Sequence, residues 1–307
     1  MIANFFNKSK PVNIIYLIVM LLIYFSVHCF FTFNNEIQLG DILKTTGLFV
    51  INVWVLFLVN FIVSKNKLIH NNYFPALIVV MLFGIFPKVM LSSNLILANL
   101  FLILSFRKIF SLKSQFNTKA KIFDSGFWIG LATLFYSWSI LFLILVYVSI
   151  IIYKKADIKN FLIPIIGFIT PVFIYFTFLF YFDNLTIFYN HFNFEYSSSF
   201  EMYKPLNILI PLLFLVILLV WSILNVSPKF MLVNNVHKSS WVIVLWLLLI
   251  SISMVVVSPL KNSAELLFII FPSAIIVANF IQKKESLFLK NGILYLFLLL
   301  SAVIYFL

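Results

Sequence analysis

The residues best suited to chemistry in this sequence are two acids in a short polar segment near the amino terminus. Glu36 and Asp41 lie five residues apart in the segment Asn-Asn-Glu-Ile-Gln-Leu-Gly-Asp at 34–41. If this loop folds back, both carboxylates point into one vestibule, where a carboxylate could act as general base or hold a divalent metal ion. The alternative is that both are solvated loop acids, which the cost of burying a charge keeps out of hydrocarbon.

A second candidate lies near the carboxyl end, in the segment Ser-Pro-Leu-Lys-Asn-Ser-Ala-Glu at 258–265. Its Lys261 is a candidate for holding a lipid phosphate, because an ammonium group forms charge-assisted hydrogen bonds with phosphate oxygens. Two other interpretations stay open. Lys261 either extends to the membrane interface or pairs with Glu265.

Aromatic and amide side chains are concentrated at 183–204. Tyr189 and His191 are the candidates there for binding a substrate, since aromatic faces beside amide groups suit the stacking of sugar rings or of isoprenoid chains. The same composition suits an interfacial helix at the level of the lipid headgroups, and His191 then serves packing.

Several common catalytic patterns are absent from the sequence. It has no phosphate-binding glycine-rich loop, no nucleophile elbow and no His-Glu-x-x-His. Cys29 is the single cysteine, so a disulfide or a cysteine metal site within the chain is excluded.

The composition identifies the environment that must position these residues. Of 307 residues, 64% are apolar and 10% are charged, so the apolar surface exceeds what a water-soluble domain can bury. The net charge of +12 comes from short basic clusters between apolar runs, a placement that indicates membrane topology rather than nucleic-acid binding. We therefore expect an all-α polytopic bundle, with one transmembrane domain over residues 1–307.

Hydropathy predicts eleven crossings. Nine are spans at 12–33, 45–64, 73–87, 89–106, 161–182, 205–226, 240–258, 263–281 and 291–307. Residues 127–153 are too long for one crossing of about 30 Å and have basic residues at both flanks, so we expect a short helical hairpin at 124–153 that turns at Ser137-Trp138-Ser139.

The basic residues set the orientation. With the hairpin, seventeen of the 21 Lys and Arg fall on the cytoplasmic side, and only Lys44, Lys88, Lys204 and Lys261 fall outside. This predicts a bacterial inner-membrane protein with a cytoplasmic amino terminus and a periplasmic carboxyl terminus. The basic segment 106–125 is expected to lie along the anionic leaflet as an amphipathic helix.

The acidic first outer loop, the hairpin introduced by Phe-Asp-Ser-Gly-Phe-Trp-Ile-Gly-Leu-Ala at 123–132 and the late turn with Lys261 and Glu265 are similar to multi-span GT-C-type glycosyltransferases. The chain also resembles an uncharacterised bacterial membrane-protein family with the same Gly-Phe-Trp-Ile-Gly-Leu-Ala segment.

The GT-C resemblance implies transfer of a sugar from a polyprenyl-phosphate carrier on the outer side of the membrane. Glu36 or Asp41 would match the family's first-loop acid, as base or metal ligand, while Lys261 with Lys44 would neutralise the carrier phosphate. The partners implied are membrane lipid and a polyprenyl-phosphate-linked sugar, with no nucleic acid.

Three function classes stay open. The chain is a GT-C-like transferase or a degenerate relative, a non-catalytic assembly subunit of a membrane complex, or a lipid-linked-glycan transporter. An enzyme predicts an outer vestibule that brings Glu36 or Asp41 near Lys261. An assembly subunit predicts that these groups stay apart, and a transporter predicts ionisable residues inside the spans.

Overall fold

The fold is described from a computed structural model that covers residues 2–8, 10–32, 39–70, 72–114, 116–197, 199–231, 235–259 and 261–306. Its regular structure over these ranges is helical. The α-helices are α1 (Ile2–Phe6), α2 (Pro11–Thr32), α3 (Leu39–Lys65), α4 (Phe74–Ile85), α5 (Ser93–Ser111), α6 (Thr118–Phe135), α7 (Leu143–Ile152), α8 (Ile158–Tyr181), α9 (Leu185–His191), α10 (Leu206–Met231), α11 (Asn235–Val257), α12 (Leu267–Lys283) and α13 (Leu287–Val303). Short 3₁₀ segments lie at Pro87–Met90, Ser137–Phe142, Glu201–Tyr203 and Ala264–Leu266.

Seven segments within the described ranges are long and apolar enough to cross a membrane. They are Pro11–Thr32, Leu39–Lys65, Ser93–Ser111, Ile158–Tyr181, Leu206–Pro228, Lys238–Val257 and Ala264–Lys283. The chain is thus built as a multi-pass helical membrane protein. The expected total of eleven crossings stays a prediction.

One expectation about the surface is wrong. The segment 106–125 does not form a separate amphipathic helix. Its first residues belong to α5, which ends at Ser111, and its last residues belong to α6, which begins at Thr118. The side chains of Ile109, Phe110 and Leu112 are fully buried, and burial in protein removes them from the leaflet.

Contacts divide the chain into two compact units. Unit 1 comprises Met1–Ile96, Ser199–Asn234 and Lys261–Leu307, and unit 2 comprises Leu97–Ser198 and Asn235–Leu260. The expectation of a single transmembrane domain stays a prediction.

Unit 1 is organised around two enclosed helices. Every residue of α4 is buried, and 94% of the apolar stretch in Ala264–Lys283 is buried as well. Helices α2, α3, α12 and α13 pack against α4, and α10 packs against α12. A helix that is apolar on all sides belongs in such a core.

The two ends of unit 1 are defined by its loops. At one end the Asn279 amide donates to the Leu68 carbonyl oxygen at 3.3 Å, and His70 N–H donates to Gln282 Oε1 at 3.4 Å. At the other end Pro87–Met90 packs against Ala264–Leu266. Helices α4 and α12 therefore run antiparallel.

Basic residues are distributed unequally between these ends. The end with Leu68 also holds α1, since Tyr73 N–H donates to the Phe6 carbonyl at 3.1 Å and Ala3 N–H donates to Asn291 Oδ1 at 3.0 Å. The lysines at this end whose side chains the structure describes are Lys8, Lys10, Lys65, Lys67, Lys283, Lys284 and Lys290. Three of the four lysines predicted outside belong to the opposite end, namely Lys88, Lys204 and Lys261. The side of the membrane that each end faces stays a prediction.

Unit 2 is organised around close contact between α6 and α8. A Cβ added to Gly126 would clash with the Pro164 carbonyl oxygen, and one added to Gly130 would lie 2.5 Å from the Phe168 carbonyl oxygen. The glycines thus let the two backbones touch, as small residues four apart do in membrane helix pairs.

The chain reverses between α6 and α8. Gly126 lies against Pro164 and Gly130 against Phe168, so residue numbers rise together and the two helices run parallel. The intervening segment must then return to its starting end, as the predicted hairpin requires. The structure places the break at Tyr136, whose backbone is extended (φ −149°, ψ 107°), and it begins the first helix at Thr118, upstream of the expected residue 124.

Candidate functional site

A turn before α12 encloses two ionisable side chains in unit 1. Glu265 is 1% exposed and Lys261 is 5% exposed. Among the side chains that the structure describes, no other Asp, Glu, Lys or Arg is buried. An enclosed acid and an enclosed base four residues apart are unusual in a chain with so few charges.

The Glu265 carboxylate is held by donors on both of its oxygens. The Tyr203 hydroxyl donates to Oε1, and the backbone N–H of Asn262 donates to Oε2 at 3.3 Å. Tyr203 is itself buried. These two hydrogen bonds fix the position and orientation of the carboxylate.

Lys261 lies against an aromatic ring. Its Nζ is 3.6 Å from the centroid of the Phe200 ring, a geometry in which the ring face attracts the ammonium group. Phe200 itself is 48% exposed. The Phe200 ring therefore lies between the buried ammonium and the exposed surface of unit 1.

Local backbone geometry accounts for how these residues meet. Ser263 has a left-handed conformation (φ 72°), and Ala264 N–H donates to Asn262 Oδ1 at 3.1 Å. This tight turn leads through Ala264–Leu266 into α12. The short helix Glu201–Tyr203 packs against α10 and carries Tyr203 to Glu265.

Burying Lys261 and Glu265 has a free-energy cost, and apolar side chains could fill the same space without it. Moving an ion from water into a protein costs several kcal/mol of free energy, even after the protein relaxes around it. This cost is offset only where hydrogen bonds and an opposite charge are well placed. Residues of this kind in membrane proteins commonly mark functional sites. We define the Lys261 cluster as Phe200, Tyr203, Lys261 and Glu265.

Two of the residues predicted near the amino terminus, Asp41 and Lys44, lie elsewhere in unit 1. Asp41 is half-buried and Lys44 is exposed, both in the first turns of α3. The Asn52 amide donates to the Met90 carbonyl at 3.2 Å, and Asp41 lies eleven residues before Asn52, about 16 Å along the helix axis. The described contacts do not join Asp41 or Lys44 to Lys261, and Glu36 lies outside the described residues.

Tyr189 and His191 lie in α9 of unit 2. Tyr189 is 63% exposed. The His191 ring donates from Nε2 to the Thr133 carbonyl oxygen at 2.8 Å, and Ser137 Oγ donates to the His191 carbonyl at 2.5 Å. His191 thus ties α9 to the break after α6, and a substrate-binding role for either residue stays a prediction.

The family of the chain follows from comparison with known proteins. The model of a family of unknown function, DUF6427, matches residues 6–307. The chain belongs to this family. No curated protein and no solved structure matches it. The Lys261 cluster of this DUF6427 protein lies within the matched range.

A divalent metal ion is the cofactor that the first-loop acids would hold. Within the described ranges, no three His, Cys, Asp or Glu side chains are grouped so that they could hold a metal. Of the two predicted ligands, only Asp41 lies in these ranges, and the divalent metal stays a prediction for this DUF6427 protein.

Sequence reasoning does not single out two members of the Lys261 cluster. It offers Glu265 only as a partner for Lys261, and Tyr203 only as one aromatic among many. The available signal is an acid directly before a strongly apolar helix, where water is scarce. The contact between Tyr203 and Glu265 spans 62 residues of sequence, and a single sequence carries no sign of it.

Proposed function

We propose that this DUF6427 protein is an inner-membrane, GT-C-like glycosyltransferase that uses a polyprenyl-phosphate-linked sugar on the periplasmic side. The observation that carries the proposal is the burial of Lys261 and Glu265 at the end of unit 1 opposite its seven clustered lysines. By the preference of lysine for the cytoplasm, this end faces the periplasm, with eleven crossings and the amino terminus inside.

The cluster supplies the groups that sugar transfer needs. Glu265 accepts the proton of an acceptor hydroxyl while that oxygen bonds to the sugar's anomeric carbon. The bond from this carbon to the carrier phosphate breaks, and polyprenyl phosphate leaves as an anion that Lys261 neutralises. Tyr203 holds the carboxylate in place.

Access to the cluster passes by Phe200. Its half-exposed ring lies against the Lys261 ammonium, so displacement of this ring is one step in the proposed approach of a phosphate. An aromatic ring also suits contact with the isoprenoid chain of the carrier.

The test measures transfer of radiolabelled sugar from a synthetic polyprenyl-phosphate hexose by the full chain in nanodiscs, with membranes of its source organism as acceptor. Lys261→Met and Glu265→Gln are expected to lower transfer by about 100-fold or more. Lys204→Met and Glu201→Gln are matched controls, because this exposed pair lies in the neighbouring loop, and they should retain activity within about two-fold.

The first-loop acids form a separate arm of the same assay. Glu36→Gln and Asp41→Asn, singly and together, decide whether the base is Glu265 or an acid of that loop. Full activity of the double variant removes the first-loop acids from the mechanism. Full activity of Glu265→Gln removes the base proposed above.

A second candidate is a non-catalytic assembly subunit. It is favoured by the separation of Asp41 from Lys261 along α3, since the described contacts do not bring the early and late groups into one vestibule. Absence of both transfer and carrier binding by the unmodified protein, together with its recovery in a stable complex with other chains, supports this role instead.

A further inference from the structure

A pocket in unit 2 combines opposite charges with aromatic walls. It has a volume of about 380 Å³ and lies where the last turns of α5 face α6. Its polar lining consists of Arg107, Lys108 and Asp124, and its aromatic lining consists of Phe123, Phe127 and Trp128. No residue of the Lys261 cluster takes part in it.

Arg107 is the only arginine in the chain, beside 20 lysines. A guanidinium group presents five N–H donors in a planar fork that matches two phosphate oxygens at once, whereas lysine acts as a point charge. Five donors also allow Arg107 to add a ligand to the contacts that it already makes. Arg107 is therefore the one position in the sequence that offers this fork geometry.

The neighbouring charges set the charge of the ligand. Lys108 Nζ lies 2.6 Å from Asp124 Oδ2, so this pair is internally neutral. With Arg107 included, the side chains that line the pocket have a net charge of +1. This charge complements the single negative charge of a phosphodiester. The ammonium of a zwitterionic headgroup would instead compete with Lys108 for Asp124.

The aromatic walls are ordered by contacts among themselves. The Trp128 ring stacks on Phe101 with centroids 5.9 Å apart, and it meets Phe127 edge to face at 5.7 Å. Trp side chains prefer the headgroup level of a bilayer. A pocket with such walls is suited to the glycerol backbone and first methylenes of a lipid below its phosphate.

The position of the pocket along unit 2 fits the same ligand. Ser105 Oγ donates to the Ser125 carbonyl at 2.9 Å, and Lys121 Nζ donates to the Ser111 carbonyl at 2.9 Å. These contacts place the pocket at the basic end of α5 and α6. Basic pockets between helices at the cytoplasmic surface bind the headgroups of anionic lipids.

We propose that this pocket, with Arg107 as its phosphate ligand, is a binding site for the phosphodiester headgroup of an anionic phospholipid. Arg107 holds two phosphate oxygens, Lys108 and Asp124 form a neutral pair at its side, and Trp128 contacts the glycerol region. The site lies in unit 2 and is independent of any sugar transfer at the Lys261 cluster.

Native mass spectrometry of the full chain in detergent tests the proposal, with phosphatidylglycerol, phosphatidylethanolamine and inorganic phosphate as separate probes. The unmodified protein should bind phosphatidylglycerol about ten-fold more tightly than phosphatidylethanolamine. Weak binding of inorganic phosphate is expected, because it lacks the part that contacts the aromatic walls. Equal affinity for the two lipids overturns the proposal without any variant.

Variants then locate the site. Arg107→Gln is expected to weaken phosphatidylglycerol binding by about ten-fold, and Arg107→Lys by less, because the charge stays while the fork is lost. Lys119→Gln makes the same charge change on the exposed first turn of α6, outside the pocket, and should alter binding by less than about two-fold.

Equal losses for Arg107→Gln and Lys119→Gln would mean nonspecific attraction and overturn the site. Inorganic phosphate binding as tightly as phosphatidylglycerol would show a free-anion site instead of a lipid site.

Discussion

Unit 1 surrounds two helices that have no exposed face, whereas unit 2 joins two parallel helices whose backbones touch. In unit 1, α4 and α12 are enclosed by side chains from four further helices. In unit 2, α6 and α8 meet through Gly126, Gly130 and Gly167, with carbonyl oxygens where side chains would otherwise lie.

The difference shows where each unit can place charge. An enclosed core admits polar groups only where hydrogen bonds satisfy them, and unit 1 nevertheless holds Glu265 and Lys261 in its interior. Unit 2 keeps Arg107, Lys108 and Asp124 half-exposed at the ends of helices. Charge in unit 1 is therefore enclosed by protein, while charge in unit 2 lies at a half-exposed pocket.

The largest effect is expected at the helix contact of unit 2. Gly126→Leu places a side chain where the Pro164 carbonyl oxygen lies, and we expect a loss of about 3 kcal/mol or failure to fold. Gly47→Leu in α3 is the matched control, because a Cβ added there would meet nothing within 4 Å, and it should keep or slightly raise stability. Thermal unfolding in detergent measures both.

Equal melting temperatures for these two variants would contradict the account of unit 2. The contact between α6 and α8 would then be loose enough to accept a branched side chain. The parallel arrangement of the two helices would lose its physical support.

The helices and the return of the chain could be predicted from the sequence, and the reason is visible in particular residues. Lysines at 119, 121, 154 and 155 flank the apolar stretch on both sides, and their preference for one surface requires a reversal between them. In the sequence alone, the segment Gly-Phe-Trp-Ile-Gly indicates only a family resemblance. Its four-residue spacing is what places Gly126 and Gly130 on one face of α6.

The candidate site could be predicted only in part. Lys261 stands out in the sequence because it is one of only four lysines predicted on the outer side of the membrane. In the structure it is buried and lies against the Phe200 ring. Asp41 stands out because it is an acid in a short loop, yet it belongs to the start of α3, whose first turns are largely exposed. Sequence position near a helix does not reveal burial. The buried Glu265 accepts a hydrogen bond from Tyr203, which lies 62 residues earlier in the sequence.

An intermediate effect is expected from the phenol in the core of unit 1. Tyr203→Phe removes the hydroxyl that donates to Glu265, and a buried carboxylate that loses a donor should cost about 2 kcal/mol. Tyr189→Phe removes a hydroxyl from a residue that is 63% exposed and should cost no more than about 0.5 kcal/mol. Thermal unfolding again provides the measurement, and similar small losses for both would mean that Glu265 is not enclosed.

The smallest effect separates the two ion pairs that lie outside the cores. Lys108 and Asp124 are 2.6 Å apart with side chains 30% and 37% exposed, whereas Lys204 and Glu201 are 3.4 Å apart with side chains 76% and 80% exposed. Double-mutant cycles with Lys→Gln, Asp→Asn and Glu→Gln should give a coupling energy of about 1 kcal/mol for the first pair and about 0.3 kcal/mol or less for the second. Raising the salt concentration should reduce the second coupling first, because water and ions reach that pair more freely. A stronger coupling in the exposed pair would contradict the expectation that partial burial strengthens the contact between Lys108 and Asp124.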